Sequence, residues 1–292
     1  MSRRRTLLTV HAHPDDESSK GPATVARYHA DGVQTVLVCC TGGEEGEILN
    51  PAMDNPLVIA NLGEVRTGEL NRAAAVIGYD FVEMLGYRDS GMAGSASNAN
   101  PECFAQAPAD EAVGRLVALF RTYRPDVVIT YGDEQSAYPH PDHLRVHDIS
   151  IPAFEAAGDP DRFPDAGEPW QPSKLYYTIF SVSMFREIHE KFVELGIESP
   201  FDEGWRARWK DVSDPPFTTS VDITGFADIR RQALLVHATQ IDPNSKFWFG
   251  LSPEVMQQIH TSDEYQLART APGVARPPDG EIETDLFAGI PE

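Results

Sequence analysis

The sequence is poor in cysteine and contains no long apolar run. Its three cysteines are Cys39, Cys40 and Cys103, and the first two are adjacent in a strand-like segment, where neighbouring side chains point to opposite faces. We therefore expect small core residues rather than a disulfide framework or thiolate ligands, which favours a reducing compartment. No apolar run reaches the roughly 18–20 residues that a membrane-spanning helix requires.

The amino-terminal segment also lacks the pattern of a secretory signal. Three arginines at residues 3–5 precede the short run TLLTV at residues 6–10. A signal peptide carries about 7–15 apolar residues and a small-residue cleavage site, and neither is present here. We expect a cytoplasmic protein.

Basic side chains are in the minority. The 292 residues include 24 lysines and arginines against 45 aspartates and glutamates, which gives a net charge of −21. A strongly acidic chain repels the phosphates of nucleic acids and of anionic lipids, so neither is an expected partner. The hydrophobic fraction of 41% predicts a folded protein with a substantial core. The sequence does not indicate an oligomeric state.

Strand-like and helix-like segments alternate through the first half of the chain. The strand-like segments span residues 6–12, 33–43, 80–87 and 126–132, and the helix-like segments span residues 21–32, 58–78 and 109–125. This alternation predicts an α/β fold with a Rossmann-like, mainly parallel sheet and helices on both faces. The glycine fingerprint G-x-G-x-x-G of dinucleotide sites is missing after the first strand.

The second half of the chain is less regular and predicts an irregular C-terminal α+β portion. Helices are expected over residues 142–158, 183–196 and 226–241, strands over 174–180 and 218–223, and a loop or surface-wrapping extension from residue 271 onward. We expect one domain over residues 1–292. In it, residues 1–158 form a Rossmann-like core that carries a metal site, and residues 159–292 complete the substrate pocket.

Two segments rich in histidine and aspartate follow predicted strands. The first is HAHPDDE at residues 11–17, after the first strand, and the second is YPHPDHLRVH at residues 138–147, after the fourth. Ligands bind at the carboxyl ends of the strands in open α/β sheets, so a parallel sheet can bring the two segments together. Either pattern alone is short enough to be a solvated loop, but the pair at matching strand ends indicates a site.

His13, Asp16 and His143 would supply two imidazoles and one carboxylate. Catalytic zinc sites use three protein ligands of these types and keep one position open, whereas structural zinc sites are usually closed by four. Asp15 is adjacent to Asp16, and neighbouring side chains of an extended segment point in different directions. We therefore expect Asp15 to stay free as a general base for the attacking water.

The second segment offers two further candidates. His140 is expected to protonate a leaving amine, and Tyr138 to hydrogen-bond a developing oxyanion. His147 lies one helical turn beyond His143 and is either a partner of a ligand or a surface residue. His11, inside the first predicted strand, is expected to be a hydrogen-bonded core residue.

Glu17 and His237 have no definite role at this point. Glu17 either hydrogen-bonds a metal ligand or supports the start of a helix. His237 is expected to be structural, although the stretch HATQ at residues 237–240 is a candidate pocket-lining turn.

Together, HAHPDDE and YPHPDH resemble the PIG-L/LmbE-like N-deacetylases, a family of Rossmann-like, zinc-dependent amide hydrolases that act on amino sugars. Further stretches resemble the mycothiol branch of that family: CTGGEEGEILN (40–50), RTGEL (66–70), GYRDSGMAG (86–94), HATQ (237–240) and ETDLFAG (283–289). The branch holds two sister activities, the deacetylation of GlcNAc-inositol and the cleavage of mycothiol S-conjugates. The resemblance extends over nearly the whole chain and implies a small-molecule substrate.

The resemblance also implies roles for individual residues. It implies that the metal ligands are His13, Asp16 and His143. It also implies that Asp15 is the general base, that His140 is the general acid and that Tyr138 contacts the oxyanion or the substrate. It further implies that Glu47, Arg66 and Asp89 bind the sugar and the inositol, since polyols are held by charged groups that make paired hydrogen bonds. From the residues alone, Arg66 would form a helix-surface salt bridge and Asp89 a turn before Ser-Gly.

Lys20 and the aromatic run Phe247, Trp248 and Phe249 favour the S-conjugate activity. Lys20 stands where the deacetylase type carries a small uncharged residue, and the aromatic run offers an apolar wall for the group on sulfur, although part of it is expected in the core. The expected reaction cleaves the cysteinyl–glucosamine amide and releases a mercapturic acid and GlcN-inositol. The alternative is deacetylation of GlcNAc-inositol or of another N-acyl amino sugar.

The expected cofactor is Zn²⁺, although Fe²⁺ and Mn²⁺ also suit two imidazoles and a carboxylate. Outside enzymes, the alternative is a Rossmann-like binding module that a metal ion stabilises. A fourth protein ligand would favour that alternative.

Overall fold

Seven strands and eleven α-helices make up the regular structure of residues 3–133 and 139–291, which are the residues that the computed structural model describes. The strands are β1 (Thr6–His11), β2 (Gln34–Thr41), β3 (Phe81–Tyr87), β4 (Val127–Thr130), β5 (Lys174–Thr178), β6 (Thr219–Asp222) and β7 (Ser262–Thr270). The helices are α1 (Asp16–Ser19), α2 (Pro22–Ala30), α3 (Pro56–Ala60), α4 (Leu62–Ile77), α5 (Ala109–Tyr123), α6 (Pro141–Ala156), α7 (Val182–Glu194), α8 (Glu203–Trp209), α9 (Asp228–Val236), α10 (Lys246–Phe249) and α11 (Pro253–Ile259). Within those described ranges, no helix combines the length and the apolar character needed to cross a bilayer.

The strands form one sheet in the order β3-β2-β1-β4-β5-β7-β6. The first five strands in this order pair in parallel, whereas β7 pairs antiparallel with both β5 and β6. The predicted α/β class, with a mainly parallel Rossmann-like sheet and an irregular C-terminal portion, is therefore confirmed. The single-domain division at residue 158 stays a prediction.

Continuous apolar strands explain why helices cover both faces of the sheet. Alternate residues of β1 point to opposite faces, so that Leu8 packs on one side and Leu7 on the other. The side of Leu8 is covered by residues of α5 and α6, and the side of Leu7 by residues of α2, α4 and α9. Cys39, Cys40 and Cys103 are buried and unpaired, as expected for small core residues.

Strand β7 was not predicted, and it lies between β5 and β6. Its sequence SDEYQLART is mostly polar, and only Tyr265 and Leu267 within it are buried. Such weak alternation does not distinguish a strand from a loop, so tertiary pairing decides its conformation. The expected helix over residues 58–78 is interrupted, because α3 ends at Ala60 and α4 begins at Leu62.

The C-terminal tail has no helix or strand after Thr270 among the described residues, as expected for a loop or a surface-wrapping extension, and its end packs into the core. Leu286, Phe287 and Ile290 are buried in the core on the Leu7 side of the sheet. Glu283 accepts a hydrogen bond from Lys174 Nζ at 2.8 Å, and the Lys174 side chain is fully buried. This ion pair therefore links the tail to the amino end of β5.

Breaking this buried ion pair should destabilise the fold. In Glu283→Gln, Lys174 keeps its charge but loses its counter-ion, and removing one partner of a buried pair costs about 3–5 kcal/mol. Urea denaturation would measure the loss. Glu198→Gln, which removes an exposed partner of Lys246, is the matched control and should leave the free energy of unfolding unchanged. An equal effect of both substitutions would contradict the prediction.

Candidate active site

The two histidine-rich segments meet at the carboxyl edge of the sheet. Strand β1 ends at His11 and leads through a short turn into α1, which begins at Asp16. Helix α6 begins at Pro141 beyond the end of β4, and His140 forms its amino-terminal cap by accepting the Asp142 N–H at Nδ1, at 3.2 Å. Proline suits this first helical position because its missing N–H would have no helical partner. Tyr138 lies outside the described residues.

His13, Asp16 and His143 are buried, and their candidate ligand atoms all lie within 4.8 Å of one another. Asp16 Oδ2 is 3.6 Å from His13 Nδ1 and 3.4 Å from His143 Nε2. Two imidazole nitrogens and a carboxylate oxygen converging on one point are a donor set that suits a divalent transition metal. This buried cluster can therefore bind a metal ion.

A second group of possible ligands shares His13 and includes Asp89, His140 and Asp142. The Asp142 carboxylate is already occupied, because it accepts hydrogen bonds from the backbone N–H and the hydroxyl of Ser90 and from His13 Nε2, the last at 3.2 Å. A histidine that donates at Nε2 presents Nδ1 as its ligand atom, and carboxylates commonly orient metal-binding histidines in this way. The Asp142 carboxylate therefore supports the ring of His13.

The charges around His13 favour a cation. Burial alone would lower the pKa of His13, but its contacts with Asp142, Asp16 and Asp89 raise that pKa well above the ordinary value. Burial would likewise raise the pKa of Asp16, yet nearby Lys20 and the histidines hold it well below the ordinary value. The site therefore stabilises positive charge beside an ionised carboxylate.

Asp15 points away from Asp16, as expected. Its backbone has φ 117°, in the left-handed region, where a residue other than glycine stores about 1–3 kcal/mol of strain. Arg66 Nη2 donates to Asp15 Oδ2 at 3.1 Å and to the Pro14 carbonyl at 2.6 Å. Burial raises the pKa of the Asp15 carboxyl, and the Arg66 guanidinium opposes that rise. The Asp15 carboxylate therefore lies beside the cluster of candidate ligands (His13, Asp16 and His143) and is not one of them.

Arg66 is buried in α4, so the expectation of a surface salt bridge is wrong. Besides its contacts with Pro14 and Asp15, it donates from Nη1 to the Gly43 carbonyl at 2.7 Å. A Cβ at Gly43 would lie 2.3 Å from Arg66 Nη1, so any side chain there would displace the guanidinium. Arg66 thus connects two loops at the carboxyl edge of the sheet. Its role in substrate binding stays a prediction.

The other predicted substrate-binding residues have different surroundings. Lys20 Nζ forms an ion pair with Asp16 and lies 5.5 Å from the centre of the Tyr131 ring. Asp89 is buried, lies 3.6 Å from His13 Nε2 and accepts the N–H of Gly91. Their roles toward substrate stay predictions.

Glu47 is exposed, in contrast to Lys20 and Asp89. Its backbone carbonyl accepts a hydrogen bond from Gln240 Nε2 at 3.0 Å. Its side chain is therefore presented to solvent from a loop that the HATQ turn holds in place. A contact with substrate stays a prediction.

His140 is buried against His13, with the ring centroids 4.5 Å apart in an edge-on arrangement. Burial lowers the pKa of His140 to about 4, so its ring is neutral near pH 7. Because Nδ1 accepts the Asp142 N–H, the neutral ring carries its proton on Nε2. The helix cap thus fixes which nitrogen can donate.

The structure also places the histidines whose roles were open. His11 is buried and its Nδ1 lies 3.0 Å from the Tyr131 hydroxyl, which confirms a hydrogen-bonded core residue. His147 is half-buried, and its Nδ1 lies 3.1 Å from the Tyr131 carbonyl oxygen, so that nitrogen does not contact a candidate ligand. His237 is buried, with Nε2 2.6 Å from Glu17 Oε1. The sequence analysis did not predict this pair. It also did not predict that Tyr131 would contact His11 through its hydroxyl and His147 through its carbonyl oxygen.

Comparison with known proteins shows to which family the chain belongs. The family model for PIG-L, GlcNAc-PI de-N-acetylase, matches residues 8–154. A mycothiol S-conjugate amidase of Streptomyces coelicolor is 41% identical, with 99% of each chain covered. A 1D-myo-inositol 2-acetamido-2-deoxy-alpha-D-glucopyranoside deacetylase of Geodermatophilus obscurus is 42% identical over the whole of both chains.

The N,N'-diacetylchitobiose deacetylase of Pyrococcus horikoshii shares the fold, with a TM-score of 0.60 at 17% identity over 90% of this chain and 84% of that one. The family model and both full-length relatives agree with the predicted resemblance. The chain belongs to the PIG-L family and is a hydrolase.

Proposed function

We propose that the protein is a metal-dependent amidase that cleaves the cysteinyl–glucosamine amide of mycothiol S-conjugates. The products would be a mercapturic acid and GlcN-inositol. The observation that carries the hydrolytic part of the proposal is the buried cluster of His13, Asp16 and His143, with Asp15 held beside it by Arg66. That cluster has three protein ligands among the described residues, which suits catalysis better than a closed structural site.

Zinc is the proposed metal, and Fe²⁺ or Mn²⁺ would suit the same donors. His13, Asp16 and His143 would hold it. The ion would polarise the amide carbonyl and lower the pKa of water at the site.

The protein's own residues account for the movement of protons. Asp15 is proposed to accept a proton from the water that attacks the amide carbon, and Arg66 orients its carboxylate for that purpose. When the C–N bond breaks, the sugar nitrogen must gain one proton to leave as an amine. We assign its delivery to His140 as an imidazolium, which must take up a proton during the reaction because a neutral ring is too weak an acid to give up its only proton. The proton that Asp15 takes from water balances the one delivered. Tyr138 is proposed, from the sequence, to contact the oxyanion.

Lys20 supports the amidase over the deacetylase. Its ammonium group donates to Asp16 and, at 3.3 Å, to the Ser19 hydroxyl, which leaves one of its three donors for a ligand. An N-acetylcysteinyl group offers the oxygen of its acetyl amide to that donor, whereas an acetyl group has only the carbonyl under attack. The aromatic run supports the choice less, because Phe247 packs in an apolar cluster with Phe185 and Phe201.

Deacetylation of an N-acetyl-glucosaminyl-inositol is the second candidate, because a full-length relative with that name is as similar as the amidase. The two are distinguished by kcat/KM on an S-conjugate of mycothiol and on the N-acetyl sugar, with the bound metal quantified in the same preparation. Our proposal requires a preference for the S-conjugate. A strong preference for the acetyl substrate would replace it with the second candidate.

Lys20→Ser should reduce this preference. Losing hydrogen bonds from a charged donor costs about 1.5–3 kcal/mol, so kcat/KM for the S-conjugate should fall by about 10-fold to 100-fold. The value for the N-acetyl sugar should fall less, only through the lost ion pair with Asp16. Lys191→Ser, at an exposed ion pair in α7, is the control and should change neither value. Equal losses on both substrates would show that Lys20 does not select between them.

A further inference from the structure

Glu17 and His237 form a fully buried pair directly behind the loop that carries Asp15. His237 Nε2 donates to Glu17 Oε1 at 2.6 Å, and both side chains are completely inaccessible to solvent. The other carboxylate oxygen, Oε2, accepts the backbone N–H of Asp15 at 2.9 Å. The Glu17 carboxylate thus links the backbone of Asp15 to His237, which lies 220 residues after Glu17 in the sequence.

The Asp15 backbone needs such support. Only Asp15, Arg124 and Phe163 adopt a positive φ among the non-glycine residues that the structure describes. A strained conformation of this kind persists only where its surroundings over-determine it. Arg66 restrains the Asp15 side chain and the preceding carbonyl, and Glu17 restrains the Asp15 N–H.

The histidine is itself fixed by helix α4. Thr239, two residues beyond His237, donates its backbone N–H and its hydroxyl to the buried carboxylate of Glu69, at 2.9 and 2.6 Å. Glu69 lies three positions after Arg66, on the same face of α4. The helix therefore carries both restraints on Asp15, one directly through Arg66 and one through the HATQ turn.

We infer that His237 is a positioning residue that, through Glu17, holds Asp15 in the conformation that directs its carboxylate toward the reacting water. The inference rests on the proposed role of Asp15 as the base. A carboxylate is required at position 17 because both of its oxygens accept hydrogen bonds, which an amide cannot do. Without His237, the Glu17 carboxylate would be buried without its principal donor and would rearrange, releasing the Asp15 N–H.

His237→Phe, which keeps a ring of similar size but removes the donor, tests the inference. We expect kcat to fall by about 10-fold to 100-fold, as for other groups that orient a catalytic residue, with KM changed by less than about threefold. Metal content measured by elemental analysis should be unchanged. His237→Gln supplies an amide donor near the position of Nε2 and should restore most of kcat. A crystal structure of His237→Phe should show Asp15 outside the positive-φ region.

Glu283→Gln is the control for general destabilisation, because it breaks a buried ion pair at the opposite edge of the sheet. It should lower stability and leave kcat unchanged. Equal losses of kcat in Glu283→Gln and His237→Phe would overturn the inference, as would wild-type kcat in a folded His237→Phe protein. If His237→Phe does not fold, Glu17→Gln provides the test. It keeps the volume of the side chain but replaces one accepting oxygen, so that His237 and Ser18 on one side and the Asp15 N–H on the other can no longer all be accepted. Unchanged kcat there would also overturn the inference.

Failure of the inference and failure of the proposed function give different results. If Asp15→Asn is inactive while His237→Phe keeps full kcat, only the positioning role is wrong. If Asp15→Asn keeps full turnover, the role of Asp15 as the base is wrong, and with it the reason for positioning that residue.

Discussion

Asp15→Asn should give a folded protein that retains its metal and loses turnover by about 100-fold to 10,000-fold, the contribution expected of a general base. The amide oxygen of asparagine can still accept a hydrogen bond from Arg66, but the neutral amide cannot accept a proton from water. Asparagine also tolerates the left-handed backbone that position 15 requires better than most residues. The fold and the orientation of the neighbouring Asp16 should therefore be preserved.

The measurement is kcat/KM on the preferred substrate together with metal content on the same sample. Asp15→Ala removes the side chain altogether and should lose turnover equally, again with metal retained. Near-wild-type turnover in either variant would eliminate Asp15 as the base. Loss of metal in Asp15→Asn would instead indicate that Asp15 is a ligand. We do not expect this result, because the Asp15 carboxylate is paired with Arg66.

The sequence was sufficient to predict the parts of the site that depend on local pattern. Apolar strands followed at once by HAHPDDE and YPHPDH indicate strand ends, and a parallel sheet brings such ends to one edge. Asp15 and Asp16 do take different partners, but through a left-handed turn into α1 rather than through the extended segment that was expected. His13, Asp16 and His143 were accordingly expected together, and the structure does bring them together.

The remaining features depend on tertiary contacts that no local pattern encodes. Glu17 and His237 are 220 residues apart, and a histidine in a turn carries no sign of the carboxylate it will meet. Arginine in a helix normally lies at the surface, so only the approach of Gly43 and Pro14 to Arg66 explains its burial. Strand β7 is likewise set by pairing with β5 and β6 rather than by its own polar sequence.

His13→Ala should abolish stoichiometric metal binding. A three-ligand site that loses an imidazole keeps only two protein ligands, one of them Asp16, whose Oδ1 is already paired with Lys20. After dialysis against a chelator and reloading with Zn²⁺, metal content should be about one equivalent per chain in the wild type and below about a tenth of that in the variant. Zn²⁺ should also raise the melting temperature of the wild type and not that of the variant, because a ligand stabilises only a fold that binds it.

His147→Ala is the matched control, since His147 lies one turn beyond His143 on the same helix and contacts the Tyr131 backbone. It should retain metal. Unchanged metal content in His13→Ala would refute the ligand assignment.

Asp16→Asn and Asp89→Asn separate the two overlapping groups of possible ligands around His13. Binding through the first group predicts that Asp16→Asn loses metal, whereas Asp89→Asn keeps most of it. The reverse result would move the ion to Asp89, His140 and Asp142. It would displace the hydrogen bonds that Ser90 now donates to Asp142 and the cap that His140 provides to α6. Because both rearrangements would leave buried polar groups without partners, we expect the first result.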